Sequence, residues 1–279
     1  MKVLGEALSY VYYPGCSLHA TAKEYDISSQ SACRALGIKL EEIKGWNCCG
    51  ATALPSLDYD TFIELNTKNL QLAAKQGTSV VTPCNECFKN LKDTKKMLAS
   101  KGKAPNVGVR HLFQAIYEDV GMENLAKAVK RPLKDLKVVS YYGCLLTRTD
   151  PEFDDIERPV KLDEMAEVLG ATVIKFPGKM WCCGGPVYLT EKKIALNVTK
   201  RILDMAKSLG ADVIQVICPL CSMMLDVYQD QVEGEPVNIP ILYFTQMIGL
   251  ALGLKSDDLG LDLNIVSTKP LLKKLEGTA

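Results

Sequence analysis

The sequence predicts an α/β protein built of two Rossmann-like domains with parallel sheets, related by an internal pseudo-twofold repeat. Three observations carry this. Short apolar runs rich in β-branched residues alternate with segments of helical period. Ten of the eleven cysteines fall into two copies of one pattern. Flanking motifs recur at offsets of 128 to 134 residues, about one domain length.

In the first half, Leu8–Tyr13 reads as a strand and Thr21–Leu36 as a helix. Ile38–Ile43 is a strand, Asp58–Gln76 a helix and Ser79–Thr82 a short buried strand. Glu86–Ser100 is a helix, Val107–His111 a strand and Leu112–Val120 a helix. In the second half the strands are Val138–Tyr142, Thr172–Phe176, Val213–Ile217 and Ile239–Tyr243. Its helices are Lys161–Leu169, Glu191–Leu209, Leu220–Gln231 and Phe244–Leu252. Such alternation implies a parallel sheet covered on both faces.

The repeat is visible outside the cysteines. Tyr12-Tyr13-Pro14-Gly15-Cys16 answers Tyr141-Tyr142-Gly143-Cys144, and Trp46-Asn47-Cys48-Cys49-Gly50 answers Met180-Trp181-Cys182-Cys183-Gly184. Gly77 answers Gly210, and Leu112–Ile116 answers Phe244–Ile248. The joint falls near Lys130-Arg131-Pro132, where proline stops a helix, so the domains are expected at 1–131 and 132–279.

Composition excludes several classes. The chain has 279 residues, 33 basic and 33 acidic side chains and no long basic run, which argues against nucleic acid as a partner. No apolar run reaches the ~18–20 residues of a membrane span. Met1–Glu6 has no apolar core of a secretory signal. A cytoplasmic location is expected, where thiols stay reduced and a disulfide framework does not form. No G-x-G-x-x-G follows any strand, so the chain itself is not expected to bind NAD or flavin.

Ten reduced cysteines at repeated spacings then point to metal. The first set is Cys16, Cys48, Cys49, Cys84 and Cys87; the second is Cys144, Cys182, Cys183, Cys218 and Cys221. In both, 34 residues separate the pair from the C-x-x-C. Cys33 has no counterpart and reads as a small buried hydrophobe in a helix. The motifs follow strands, at the carboxyl edge where open α/β sheets bind ligands. Helix N-termini there present free N–H groups, and glycines 15, 50, 143, 184 and 185 let backbone amides approach sulfur. Structural zinc takes four ligands, and so does an ordinary cubane. Either one cysteine of each set is a spectator, or all five bind a larger or unusual iron–sulfur cluster.

The twin Cys-Cys-Gly motifs resemble the CCG-domain family. Tyr12-Tyr13-Pro14-Gly15-Cys16-Ser17-Leu18-His19 and Trp46-Asn47-Cys48-Cys49-Gly50 are similar to the B subunits of heterodisulfide reductases within it. The resemblance covers nearly the whole chain. It implies two non-cubane [4Fe-4S] clusters, one on each five-cysteine set, facing each other across the pseudo-twofold. It implies reductive cleavage of the mixed disulfide of coenzyme M and coenzyme B. It also implies electrons from a small iron–sulfur subunit fed by a flavin-containing subunit. Members with the same motifs serve lactate, glycolate, quinone and sulfur metabolism, so an electron-relay subunit without catalysis is the alternative, and a zinc-stabilised scaffold a third reading.

Disulfide reduction takes two electrons, and a cluster normally passes one, which gives a reason for the duplication. An anionic substrate needs cations. Candidates are Arg148, four residues after Cys144, and Lys179. His19, three residues after Cys16, is a candidate proton donor or hydrogen bond to a cluster sulfur. The plainer readings are a cap on the following helix for His19, a surface charge for Arg148, and a solvated face for Lys192-Lys193.

Overall fold

The computed structural model describes residues 8–277; the Met1–Glu6 opening lies outside them. Two four-stranded sheets repeat one topology. In the first half the strands are β1 (Leu8–Tyr12), β2 (Ile38–Glu42), β3 (Ser79–Thr82) and β4 (Gly108–His111), in the order β2-β1-β3-β4. In the second half β5 (Lys137–Tyr141), β6 (Thr172–Val173), β7 (Val213–Val216) and β8 (Ile241–Tyr243) lie in the order β6-β5-β7-β8. Every pairing is parallel. The order reverses after β1 and after β5, which opens a crevice at the carboxyl edge beside each.

The long helices follow the sequence pattern. Lys23–Ala35 buries Tyr25, Ser28, Ser29, Ala32 and Cys33, a stripe at helical spacing. Tyr59–Gln76 starts at Asp58, whose carboxylate accepts the Thr61 N–H at 3.0 Å. Asn85–Ser100 and Lys192–Ser208 are the other two long helices.

Three elements differ from expectation. The strand expected over Thr172–Phe176 ends at Val173, because the chain curls away after the Ile174 N–H bonds Val138 O; the Tyr142 and Gly143 amides bond Lys179 O instead. The helix expected over Leu112–Val120 widens into a π turn at Ile116–Val120 and stops at Gly121. The helix expected over Leu220–Gln231 is Pro219–Ser222, a π turn over Met223–Val227 and a 3₁₀ turn. Its widened turn coincides with buried Asp226, which accepts the amides of Ile265 and Val266 at 2.8 and 3.0 Å. Short helices at Met122–Ala128 and Lys269–Glu276 complete the chain.

One apolar core runs through both halves. Helix Lys23–Ala35 packs on Phe244–Ala251. There Tyr25 stacks on Tyr243 with ring centroids 3.8 Å apart, Phe113 meets Phe244 edge-on, and Ser28 bonds Thr245 at 2.7 Å. Contacts between the halves are reciprocal. Cys16–His19 touches Pro219–Ser222, and Asn85–Ser100 touches Leu146–Thr149. That exchange of equivalent elements is what a pseudo-twofold produces. No helix among the described residues is long and apolar enough to cross a membrane.

Candidate metal centres

Each five-cysteine set gathers at the carboxyl edge of its own sheet. Cys16 opens the turn after β1, and Cys84 caps helix Asn85–Ser100 with Cys87 in its first turn. Cys218 and Cys221 hold the same places at Pro219–Ser222. Cys48 lies 3.7 Å from Cys16, and Cys49 lies 3.5 Å from Cys87. Two sulfurs on one tetrahedral metal, each about 2.3 Å from it, stand about 3.7 Å apart. In the second set Cys182 contacts Cys144, and Cys221 contacts both Cys183 and Cys218. Among the described residues no three His, Cys, Asp or Glu side chains converge on a single-ion position; the sulfurs stand in a run of contacts, from Cys16 through Cys48, Cys49 and Cys87 to Cys84 in the first set.

Crowded thiols share protons unevenly. Contact with Cys16 draws Cys48 down to about 2, and the same contact pushes Cys16 up. Cys182 falls to about 2 beside Cys144, and Cys144 rises. Cys49 and Cys183 are pushed up to about 12 by their neighbours Cys48 and Cys182. Backbone amides assist: Gly50 N–H and Gly184 N–H each sit 3.4 Å from the first sulfur of their pair. Cys16, Cys48 and Cys182 are exposed, while the C-x-x-C sulfurs are buried.

The backbone is fitted to sulfur. Gly15 has φ +76°, and a Cβ there would stand 2.7 Å from Cys87 Sγ; at Gly143, φ +68°, it would stand 2.9 Å from Cys221 Sγ. No other residue fits either position. Tyr13 Oη donates to Asn47 O at 2.7 Å, and Tyr141 Oη to Trp181 O at 2.5 Å. Each tyrosine thus holds the carbonyl just ahead of its cysteine pair. By this role Tyr13 corresponds to Tyr141, one place off the match that the Tyr-Tyr dipeptides suggest.

The two centres are stitched together. Asn85, inside the first C-x-x-C, donates from Nδ2 to Tyr142 O at 3.2 Å. His111 lies fully buried with Nε2 3.0 Å from Pro83 O, and its ring also bonds Ile217 O. Pro83 and Ile217 immediately precede Cys84 and Cys218. The Phe113 N–H bonds Nδ1, so Nε2 carries the proton. Burial lowers the His111 pKa to about 3 and keeps the ring neutral. Tyr25 Oη adds a second donor to Ile217 O at 3.1 Å. The sequence singled out the other histidine; the signal for His111 was its place at the carboxyl end of a strand.

The remaining candidates divide. Arg148 is exposed, and its charge reaches Cys182. It lines a groove of about 650 Å³ on the seam between the halves, where Lys89 and Lys92 are paired with Asp93 and Asp150 and Lys96 and Glu152 also face the space. Lys179 is not brought to the sulfurs: its ammonium is held by Asp163 and by Pro159 O and lies over the Tyr142 ring. Its backbone carbonyl is what serves the Cys144 turn. His19 caps no helix; it pairs with Glu42 at 3.3 Å and meets Trp46 edge-on. Cys33 is buried in the core, with its thiol pushed up to about 12 by burial.

The chain is similar to known proteins. The CCG cysteine-rich domain matches twice, at residues 10–92 and 138–226. An 8-methylmenaquinol:fumarate reductase membrane anchor subunit from Wolinella succinogenes is 31% identical over 94% of this chain and 98% of its own. The B subunit of a ferredoxin:CoB-CoM heterodisulfide reductase from Methanosarcina mazei is 30% identical over 94% of this chain and 95% of its own. Among solved structures, a hypothetical protein from Helicobacter pylori superposes with a TM-score of 0.74 over 94% of this chain and 53% of its own, at 15% identity, a likeness of fold. Two matches to one domain, each covering three strands of one sheet and all five of its cysteines, place the chain in the CCG cysteine-rich domain family.

Proposed function

We propose that the chain is the catalytic iron–sulfur subunit of a heterodisulfide reductase-type complex, cleaving a small-molecule disulfide such as that of coenzyme M and coenzyme B. The observation that carries this is the pair of five-sulfur centres, whose flanking loops are tied together by Asn85 and His111. Cys16, Cys48, Cys49, Cys84 and Cys87 would hold one [4Fe-4S] cluster; Cys144, Cys182, Cys183, Cys218 and Cys221 would hold the other. The donor set fits: sulfur–sulfur distances near 3.7 Å suit shared metal, and glycines clear the space that a Cβ would fill. A continuous run of five sulfurs suits a body of several irons, and the fifth ligand suits a non-cubane form.

When bound, the clusters would supply single electrons at low potential. The protein's part is position and charge. The buried C-x-x-C sulfurs anchor each centre, while exposed Cys16, Cys48 and Cys182 mark the side open to other molecules. Arg148 places a cation near Cys182 for the anionic end of a substrate. Cleavage consumes two electrons and two protons and breaks one S–S bond to give two thiols. The electrons would come from a small iron–sulfur subunit, itself fed by a flavin-containing subunit.

A second reading, an electron-relay subunit, is favoured by the fumarate reductase relative. One experiment separates them. The full chain is purified without oxygen, its iron and acid-labile sulfide are counted, and reduced viologen is supplied with the coenzyme M–coenzyme B disulfide. Metal at both centres and two viologens oxidised per disulfide are expected. Metal at both centres with no disulfide consumed, but oxidation by a quinone, would favour the relay. A chain that binds no iron overturns both.

A further inference from the structure

The two centres are built from the same elements, yet the shells around them differ. Besides Asn66, whose counterpart Thr199 is also polar, three asparagines line the first: Asn69, Asn85 and Asn90, each at most 1% exposed. Their counterparts around the second are Ile202, Pro219 and Met224, all buried. The pairing is fixed by role. Asn90 and Met224 each stand six residues beyond the first cysteine of their C-x-x-C. Asn69 and Ile202 each stand three residues beyond the side chain that bonds the carbonyl of the second paired cysteine, Asn66 at 2.9 Å in one half and Thr199 at 2.9 Å in the other.

Of the three asparagines, Asn90 reaches sulfur. Its Nδ2 is 3.5 Å from Cys49 Sγ and 3.0 Å from Ala51 O, with Cys49 O at 3.4 Å. All three neighbours are acceptors, so the amide must present its N–H groups there. Met224 offers the second centre no N–H group.

We propose that the two centres are electronically unequal, the first having the higher reduction potential, and that Asn90 is the side chain chiefly responsible. The inference rests on both sets holding iron–sulfur clusters. A reduced cluster carries one more negative charge than an oxidised one. N–H dipoles aimed at its sulfurs stabilise that charge, and hydrogen bonds to sulfur together with solvent exposure set the potential. An apolar shell stabilises it less. Exposure acts the same way: Cys16 is exposed, whereas its counterpart Cys144 is half-buried. So does the Glu86 carboxylate, whose charge acts on Cys218. Two features oppose the difference. The amides of Leu220 and Cys221 bond Cys218, and Arg148 acts on Cys182. Arg148 is exposed and screened, while Asn90 is wholly buried. At equilibrium a single electron therefore resides on the first centre, and the second is the lower-potential partner from which it is filled.

The test is a redox titration of the full, metal-loaded chain, followed by absorption and electron paramagnetic resonance. Variants lacking Cys182 and Cys183, or Cys48 and Cys49, assign each signal to its centre. The first centre is expected to titrate at the higher potential. Asn90→Met should lower it so that its reduced-to-oxidised ratio falls about tenfold at fixed potential, a shift of about 59 mV for one electron. Met224→Asn should raise the second centre in the same proportion. If Asn90→Met fails to load metal, Met224→Asn decides alone. Coincident midpoints, a higher second centre, or substitutions that move neither signal at full metal content would overturn the proposal. Absence of iron from the unaltered chain would instead remove the reading on which it rests.

Discussion

His111 Nε2 lies 3.0 Å from the carbonyl oxygen of Pro83, and the same imidazole bonds Ile217 O. One neutral ring thus holds the residues ahead of Cys84 and Cys218, in different halves of the chain.

His111→Phe keeps the ring volume but leaves two buried carbonyls short of a donor. A buried group without its partner costs about 1–3 kcal/mol, so the melting temperature should fall by several degrees. Ile217 O retains Tyr25, so Pro83 O bears more of the loss. Thermal unfolding of the metal-free chain is the measurement, and an unchanged midpoint would count against the seam.

The same histidine sets a pH dependence. Its pKa is about 3 folded, against about 6.5 for a free side chain. Between those values the unfolded chain binds the extra proton, so stability is full above about pH 6.5 and is lost as pH falls. The slope from this group is at most about 1.4 kcal/mol per pH unit. His111→Gln should flatten the pH 4–6 part of the stability curve, measured by denaturant unfolding of the metal-free chain.

Gly15→Ala and Gly143→Ala should act locally. Each adds a Cβ under 3 Å from a sulfur at a left-handed backbone position. Each variant should lose the metal of its own centre, about half the iron and sulfide per chain, and keep the other. Equal loss from both centres would show that the glycines matter to the fold rather than to the sulfur.

Cys33→Ala should keep full iron content, because its thiol is buried and burial alone shifts it, with no other cysteine acting on it. Cys49→Ala or Cys183→Ala should lose about one centre. Iron counted per chain distinguishes the cases, and an emptied site in Cys33→Ala would be the surprising result.

Changing Cys182 and Cys183 together to Ser should leave the first centre's spectrum intact and reduce disulfide turnover by orders of magnitude. Two sulfurs separate in the reaction, and one centre serves one of them. Turnover near that of the unaltered chain with an artificial donor would make the second half a relay.

Much of this was legible in the chain itself. The sheets were, because buried parallel strands are short β-branched runs such as Val80-Val81-Thr82. So was the doubling, because the 34-residue interval from the Cys-Cys pair to the C-x-x-C is the same in both halves. The seam was not. Tyr25 meets Ile217 across 192 residues of sequence, and no periodicity records such a contact. Lys179 was misjudged for a related reason: a cation near a motif in sequence can be claimed by a closer carboxylate, here Asp163. The π turn at Met223–Val227 was hidden because the apolar pattern there suits a regular helix equally well.

The packing of Lys23–Ala35 on Phe244–Ala251 bears on how the chain is made. Translation delivers the first sheet and all five of its thiols before Ile217, Tyr243 or Phe244 exists. Until those residues leave the ribosome, Tyr25 and His111 have no partners across the seam, and the Cys84 loop stands open on that side. The buried Cys84 and Cys87 of the first set are therefore covered on that side last, whereas Cys16 and Cys48 stay exposed in the finished molecule. The second set has no such interval, since the surface it packs against is already waiting.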